Sequence, residues 1–579
     1  MPENKLNYKR KFIELAVAVL LFGLILGMHT PVGLEAAATK ALIAKLPSGI
    51  SSEIDQKFGT GIDFNRNYAD YKAYADNIEI AIAKSGTSIL TKQSYDASEK
   101  KSSYNLMTLS KASEKIGLAA KAVLAIAVLM LVFWIFEIVP IYVTSLLPIV
   151  MFPLLSVASL SSVAFPGYFI VTSEYANHLI FLFMGTFMLA KAIEKWHLDK
   201  RIAIKIIKVF GTNPKYLLLG FILTTAFLSM WISNTATTAM MIPIALALLK
   251  HAHHDKKEMR FETGLLLAIA YAASIGGLGT IIGSPPNAVF AGFAQSLAKT
   301  TITFVGWMKF GLPFVILFIP ICWLYMSWRY TEKGIRLGEH LVTQRLGKFS
   351  QGEKNVAIIF AVTALLWLSR SAIPIIHWPG WSSLKPFGLN LTLINDSAIA
   401  IAAAIALYLV PASLKKYEPT LDLETGFSIS WGTLILFGGG LTLGAAIANT
   451  GVAAWFAELL TVFSGVHVLI LLIIISALAV VLTEFTSNTA TATMLMPVMF
   501  ALGAAMAAGN SNYPLVFMAT AAVATSLSFV LPIATPPNAI AYGTGKIKLK
   551  EMIHAGIALD ILGILLWSVM AASIFGVLF

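Results

Sequence analysis

The sequence predicts an all-α polytopic membrane protein of about 11 transmembrane helices plus two re-entrant hairpins, built as an inverted repeat. Three observations lead there. The 579 residues are 57% hydrophobic and only 12% charged, with a mean hydropathy of +0.77, values far from those of a soluble domain. Apolar runs of about 20 residues, enough to cross a hydrocarbon core of roughly 30 Å as a helix, recur along most of the chain; barrel strands would alternate in shorter segments. The polar string SNTAT occurs twice, at 233–237 and 487–491, each time inside an apolar stretch long enough for two short helices.

In chain order the expected spans are 12–34, 118–138, 141–157, 179–199, 263–293, 304–328, 355–370, 396–411, 431–450, 515–544 and 552–578. Basic residues gather between particular spans. Lys5, Lys9, Arg10 and Lys11 precede the first, Lys200, Arg201, Lys205, Lys208 and Lys215 follow the fourth, and Lys256, Lys257 and Arg260 precede the fifth. Further clusters lie at 329–354, at Lys415 and Lys416, and at Lys546, Lys548 and Lys550. Placing all of them in the cytoplasm satisfies the positive-inside rule, with the N-terminus inside and the C-terminus outside. The net charge of +12 therefore orients the chain in a cell (inner) membrane and does not imply a nucleic-acid partner. The stretches 214–250 and 466–506 fit this alternation only if each returns to the face it left, the first from the cytoplasm and the second from outside.

The two stretches are related. Residues 228–248 and 482–502 align without a gap and share 10 of 21 residues, Pro243 with Pro497 among them. A second pair, IIGSPPNAVFAG at 281–292 and PIATPPNAIAYG at 532–543, follows at similar spacing. Each half thus holds a hairpin followed by an interrupted helix, in opposite orientations, the arrangement that places a transport site at the membrane midplane. The interruptions carry the chemistry. Gly276, Gly277, Gly279 and Gly283, followed by Pro285 and Pro286, cannot sustain a helix, and the backbone groups they release must line a site. Half-helix N-termini attract anions, while freed carbonyls, hydroxyls and asparagine oxygens suit a hard cation such as Na⁺. Ser233, Asn234, Thr235, Ser487, Asn488 and Thr489 can donate to carboxylate oxygens, and no Arg or Lys lies in these motifs.

Other residues invite simpler readings. Glu137 is expected as a structural residue at the cytoplasmic turn between the second and third spans. Glu484, beside the second tip, has either a structural or a cation-related role. His251, His253, His254 and Asp255 read as a solvated loop, and Cys322 as packing within an apolar run. The first apolar run is expected to remain as a helix and not to be cleaved as a signal peptide. Residues 35–115 form a polar stretch with eleven basic and ten acidic residues, extracytoplasmic by the topology. Helix is plausible there around NYADYKAYADNIEIAIAK, with Tyr68, Tyr71 and Tyr74 at helical spacing.

Taken together, FLFMGTFMLAKAIEKWHLDKRIA, the two SNTAT strings, YAASIGGLGTIIGSPPNAVF and ATPPNAIAYGTG resemble the divalent anion:sodium symporter family over roughly residues 117–579. The resemblance implies an elevator-type transporter, a homodimer in which a transport domain slides against a fixed scaffold and carries dicarboxylates, tricarboxylates or sulfate with Na⁺. It implies one sodium site at Ser229, Ser233, Asn234 and the carbonyl of Gly283, and another at Thr483, Ser487, Asn488 and the carbonyl of Ala534. Substrate would lie between Asn234, Thr235, Ser284 and Asn488, Thr489, Thr535, with Pro536 beside it. The expected organisation is an N-terminal helix (1–34), the polar insertion (35–116), scaffold helices with the first repeat (117–350), and the second repeat (351–579). The insertion departs from the family pattern. A sodium-coupled dicarboxylate symporter is the leading expectation; a sodium-independent exchanger or a sulfate or tricarboxylate symporter keeps the same scaffold.

Overall fold

The computed structural model describes residues 2–44, 46, 48–58, 74–83, 89–91, 104–155, 171–249, 256–332, 347–372, 377–413, 418–507 and 512–578. The histidine loop at 251–255, Tyr68 and Tyr71 lie outside them. Helix α1 (Pro2–Gly27) stops inside the first expected span, and the chain bends by 73° into α2 (Val32–Ile43). Gly27 ends the first helix and Pro31 opens the second, as the helix preferences of these residues require. After α3 (Ser48–Phe58), the insertion holds three short strands, β1 (Glu79–Ala83), β2 (Ile89–Thr91) and β3 (Tyr104–Thr108), antiparallel in the order β2-β1-β3. Tyr74 and Ala75 are helical, and the end of the expected helical stretch is a strand from Glu79 on. The alternation of EIAIA is a period of two, which fits a strand there.

Helix α4 (Leu109–Phe136) begins where the sheet ends and closes on Glu137 in the left-handed region at φ 45°. The expected third span is two short helices, α5 (Ile141–Thr144) and α6 (Leu147–Leu154), in a stretch interrupted by Pro140, Pro148 and Pro153. Helix α7 (His178–Lys195) leads into α8 (Leu198–Phe210), an amphipathic helix that carries Lys200, Arg201, Lys205 and Lys208. Arg201 pairs there with Glu353 at 2.6 Å. The SNTAT stretches each form two helices around a short break, the first as α9 (Pro214–Ser229) with α10 (Asn234–Leu249). The first interrupted helix appears as α11 (Lys256–Gly277) with α12 (Pro285–Ser296). Between the two sets run α13 (Phe304–Tyr330), α14 (Gln351–Arg370), α15 (Asp396–Leu409), α16 (Leu423–Phe427), α17 (Trp431–Asn449) and α18 (Val452–Leu460). The second set is α19 (Val468–Phe485), α20 (Asn488–Met506), α21 (Tyr513–Ala524) and α22 (Pro536–Gly543), and α23 (Leu549–Leu578) closes the chain.

Among the described residues seven helices are long and apolar enough to cross a membrane, α19 and α20 among them. The chain is a multi-pass membrane protein. Whether α19 and α20 cross or turn back, the pair returns the chain to the face it left.

Packing crosses between the halves. Helix α10 of the first hairpin packs on α22 of the second broken helix, and α20 of the second hairpin packs on α12 of the first. From Phe261 on, helix α11 is buried on every side, with Leu265 through Ala273 fully buried, as a helix at the centre of a bundle must be. A second core joins α2 and α4 to α17 and α18, with Leu34, Leu42, Val123 and Val452 all fully buried.

Where α11 ends, backbone meets backbone. A Cβ at Gly276 would lie 2.3 Å from the carbonyl oxygen of Ala226 and 2.5 Å from its Cα. Overpacking of a core costs about 1–3 kcal/mol when side chains can yield, and these atoms cannot. Gly276→Ala should therefore lower the thermal midpoint of the purified protein clearly. Gly23→Ala, where nothing lies within 4 Å, should leave it unchanged; equal midpoints for the two variants would contradict this packing.

Candidate functional site

The four helix interruptions meet at one cavity of about 1100 Å³. Its inner wall carries Ser233, Asn234 and Thr235 from the first tip, Ser487, Asn488 and Thr489 from the second, Gly283 and Ser284 from the first break, and Ala534, Thr535 and Pro536 from the second. Ser229 and Thr483 lie behind this wall, fully buried. The outer wall comes from one face of α7, with Phe183, Phe187, Ala190, Lys191 and Glu194 at helical spacing, and from the ends of α4 and α17. Among the described lining residues Lys191 is the one cation, and it is paired with Glu194 at 2.8 Å. Glu137 stands at this outer wall too, exposed.

Four helices begin on the cavity: α10 at Asn234, α20 at Asn488, α12 at Pro285 and α22 at Pro536. Proline at the first position of α12 and α22 is suited to that end, because the missing N–H had no intrahelical partner there. Each N-terminus presents unsatisfied N–H groups and a partial positive charge.

Behind Asn234 lies a cluster of oxygens. The Ser229 hydroxyl is 2.6 Å from Asn234 Oδ1 and 2.7 Å from the Ala273 carbonyl, and has one proton for the two. The same corner of the Asn234 amide is 3.2 Å from both the Ala273 and the Gly283 carbonyls. A Cβ at Gly277 would lie 2.5 Å from Asn234 Oδ1, so glycine is what leaves this cluster open. Ser233, in contrast, takes the Ala236 N–H at 3.2 Å and caps α10.

The second half repeats the plan with one change. Thr483 Oγ1 is 2.7 Å from Asn488 Oδ1 and 3.2 Å from the Thr525 carbonyl. Ser528 Oγ, at the place matching Gly277, donates to Asn488 Oδ1 at 3.4 Å. Ser487 and Ala534 border the cavity beside this cluster.

The backbone freed by the breaks is accounted for. Asn287 donates both N–H groups of its amide, to the carbonyls of Gly277 at 2.9 Å and Thr280 at 2.8 Å. Asn538 does the same to Ser528 and Leu531, each at 3.0 Å. Glu484 accepts the N–H groups of Val530 at 3.0 Å and Leu531 at 2.8 Å, and Asp560 accepts that of Phe529 at 3.3 Å. Glu484 thus ties the second tip to the second break. Ser284 and Ser526 join the two breaks directly, hydroxyl to hydroxyl at 3.3 Å. The sequence motifs pointed to the inner wall. Ala273 and the outer wall on α7 fall within stretches that carry the resemblance but had no expected site role; Ser528 and Thr525 carry no motif, and only the matched position of Gly277 could have drawn attention to Ser528.

A family profile described as the sodium:sulfate symporter transmembrane region matches residues 105–579, beginning within β3 and leaving most of the polar insertion outside. A sodium-dependent dicarboxylate transporter of Staphylococcus saprophyticus is 40% identical over 456 residues, covering 76% of this chain and 83% of that protein. Its counterpart in Staphylococcus aureus is 40% identical over 449 residues, covering 75% and 82%. Among solved structures, the YdaH transporter of Alcanivorax borkumensis overlaps 70% of this chain and 88% of its own at 15% identity and a TM-score of 0.48. By the extent of the profile match and of the shared sequence, the chain belongs to the sodium:sulfate symporter family, the divalent anion:sodium symporters that its doubled motifs resemble.

Proposed function

We propose that this chain carries C4 dicarboxylates such as succinate across the cell membrane together with Na⁺. As a family member it is a transporter and not an enzyme. The observation that carries the reading is the double use of two asparagines: Asn234 and Asn488 each border the cavity where four helix N-termini converge, and each backs onto a cluster of oxygens. Helix ends of roughly +0.5 charge apiece give four ends a nominal total near the charge of a dicarboxylate. These charges are partial and spread out, and taking a dianion from water still costs several kcal/mol. Cations in the oxygen clusters offset that cost. Ser229, Asn234 and the Gly283 carbonyl would hold one Na⁺, with Ser233 at its edge; Thr483, Asn488, Ser487 and the Ala534 carbonyl would hold the other. Thr235, Ser284, Thr489, Thr535 and Pro536 would face the substrate between them. The two staphylococcal relatives are named for sodium and dicarboxylate, which favours this substrate class over sulfate.

The exchange of packing between hairpins and broken helices supports treating them as one moving body, related internally by inversion, that slides as an elevator against the helices around α4, α7, α14, α15 and α17. The basic helix α8 follows the cavity-lining end of α7, so under the positive-inside rule the cavity opens to the cytoplasm. The N-terminus then lies inside and the C-terminus outside, with 11 crossings plus the two hairpins. The segment 35–116 is extracytoplasmic, the repeats run over 117–350 and 351–579, and the assembly is a homodimer.

Labelled succinate uptake into proteoliposomes should require an inward Na⁺ gradient. Asn234→Ala and Asn488→Ala should each reduce it by at least about tenfold, the effect of losing one charge-assisted hydrogen bond of roughly 1.5–3 kcal/mol. Wild-type uptake by either purified variant would remove that residue from the site. Gly277→Ala should abolish Na⁺ stimulation, because its methyl group fills the first cluster.

Na⁺ and dianion should each raise the other's affinity by the same factor; two Na⁺ balance the dianion's charge, and with a further Na⁺, which the family resemblance implies, uptake should accelerate with an inside-negative potential. Lowering the pH until succinate is mainly a monoanion should depress uptake. Uptake indifferent to both Na⁺ and potential would instead indicate sodium-independent exchange.

A further inference from the structure

The two oxygen clusters differ in what faces the asparagine. Asn234 meets two backbone carbonyls, which only accept, and one hydroxyl whose proton the Ala273 carbonyl also takes. Asn488 Oδ1 meets two hydroxyls: Thr483, whose proton the Thr525 carbonyl also takes, and Ser528, which donates to it at 3.4 Å. Gly277 leaves no donor in the first cluster at the place Ser528 fills in the second. Both asparagines are half-buried and border the cavity, and neither Nδ2 donates to a protein acceptor in the orientation with Oδ1 toward its cluster, among the described residues.

A primary amide is nearly the same shape in its two orientations but opposite in polarity. With a cation in the first cluster, Oδ1 of Asn234 faces inward as a ligand and Nδ2 faces the cavity as a donor. Without the cation, the amide oxygen opposes two carbonyl oxygens at 3.2 Å and shares with one of them the single Ser229 proton. Turned over, the amide places Nδ2 3.2 Å from the Ala273 and Gly283 carbonyls and 2.6 Å from Ser229 Oγ. Its oxygen then faces the cavity, where it repels a carboxylate. In the second cluster the same turn would strip the Ser528 proton of its acceptor, because Asn488 Oδ1 is the partner this buried hydroxyl has among the described residues.

We propose that the two cation sites are unequal: the Asn234 amide turns over as the cation comes and goes and so transmits cation binding to the dianion, while Ser528 holds Asn488 with its oxygen on the cluster in both states. The proposal rests on the sodium-coupled reading above. Ser528 is a positioning residue, acting through Asn488. The second site is then formed before substrate arrives. The first is completed only when cation and dianion select the same amide orientation.

Radiolabelled Na⁺ binding to the purified full-length protein, with choline replacing Na⁺ and no dicarboxylate present, tests this. Asn234→Ala, which leaves the second site, should keep the tight component of wild-type Na⁺ binding. Asn488→Ala, which leaves the first, should bind Na⁺ about tenfold more weakly, a difference within the usual span of coupling factors. Ser528→Gly gives the second cluster the composition of the first. It should weaken Na⁺ binding about fivefold without succinate and regain most of that loss at saturating succinate, since the coupling between the ligands has grown. Ser528→Ala should act in the same direction. Equal Na⁺ affinity in the two asparagine variants, loss of binding in both, or a Ser528→Gly defect that succinate does not restore would each overturn the proposal. The last pattern marks Ser528 as a simple ligand, whose loss weakens Na⁺ equally with and without substrate. Absence of Na⁺ binding by the wild-type protein would instead remove the symport reading itself.

Discussion

Within a membrane, every backbone N–H and C=O must find a partner inside the protein or face water. The architecture follows from meeting that requirement at four places where helices stop. Each stop releases carbonyls and amides, and the chain answers with specific side chains. Asn287 and Asn538 each take two carbonyls with one amide. Trp307 takes the Leu278 carbonyl at 2.8 Å, and Glu484 with Asp560 takes three consecutive N–H groups. The four helix starts between these ties border the cavity.

The same requirement explains why the halves interlock. A broken helix has neither the length nor the continuous apolar face to be stable alone, so each leans on the hairpin of the other half. Glycine makes the approach possible. Gly276 meets the backbone of Ala226, and Gly556 on α23 meets the backbone of Phe529. Contacts at this range make the hairpins and broken helices a stiff unit, as close-packed interiors are. Relative motion inside such a unit would pull apart the oxygen clusters behind Asn234 and Asn488.

The two matched stretches are alike in how an asparagine ties down each break and differ in polar detail. Asn287 and Asn538 grip carbonyls at the same offset in each half, so the breaks share one construction. The differences are polar substitutions at matched places: Met230 against Glu484, Gly277 against Ser528, Ser229 against Thr483. Each changes the donors and acceptors beside the breaks.

The membrane character, the helical class and the inner wall of the site were legible in the sequence. Hydropathy decides the first two, and a polar string repeated in matching apolar stretches has few structural uses other than a paired break. The helix start at Asn234, the break after Gly277 and the proline-led restart at Pro285 follow from local chain chemistry, which a sequence carries in full. Other features depend on residues distant in the chain. The kink after Gly27 shows only once α2 is seen buried against α4 and α18. The strand at Glu79–Ala83 depends on its partners at 89–91 and 104–108. Ser528 is one serine among many until the fold sets it against Asn488, forty positions away. Sequence by itself determined where helices must break and which polar groups are exposed there. Tertiary structure alone decided which of those groups face one another, because donor and acceptor geometry depends on distances between segments that no local pattern encodes.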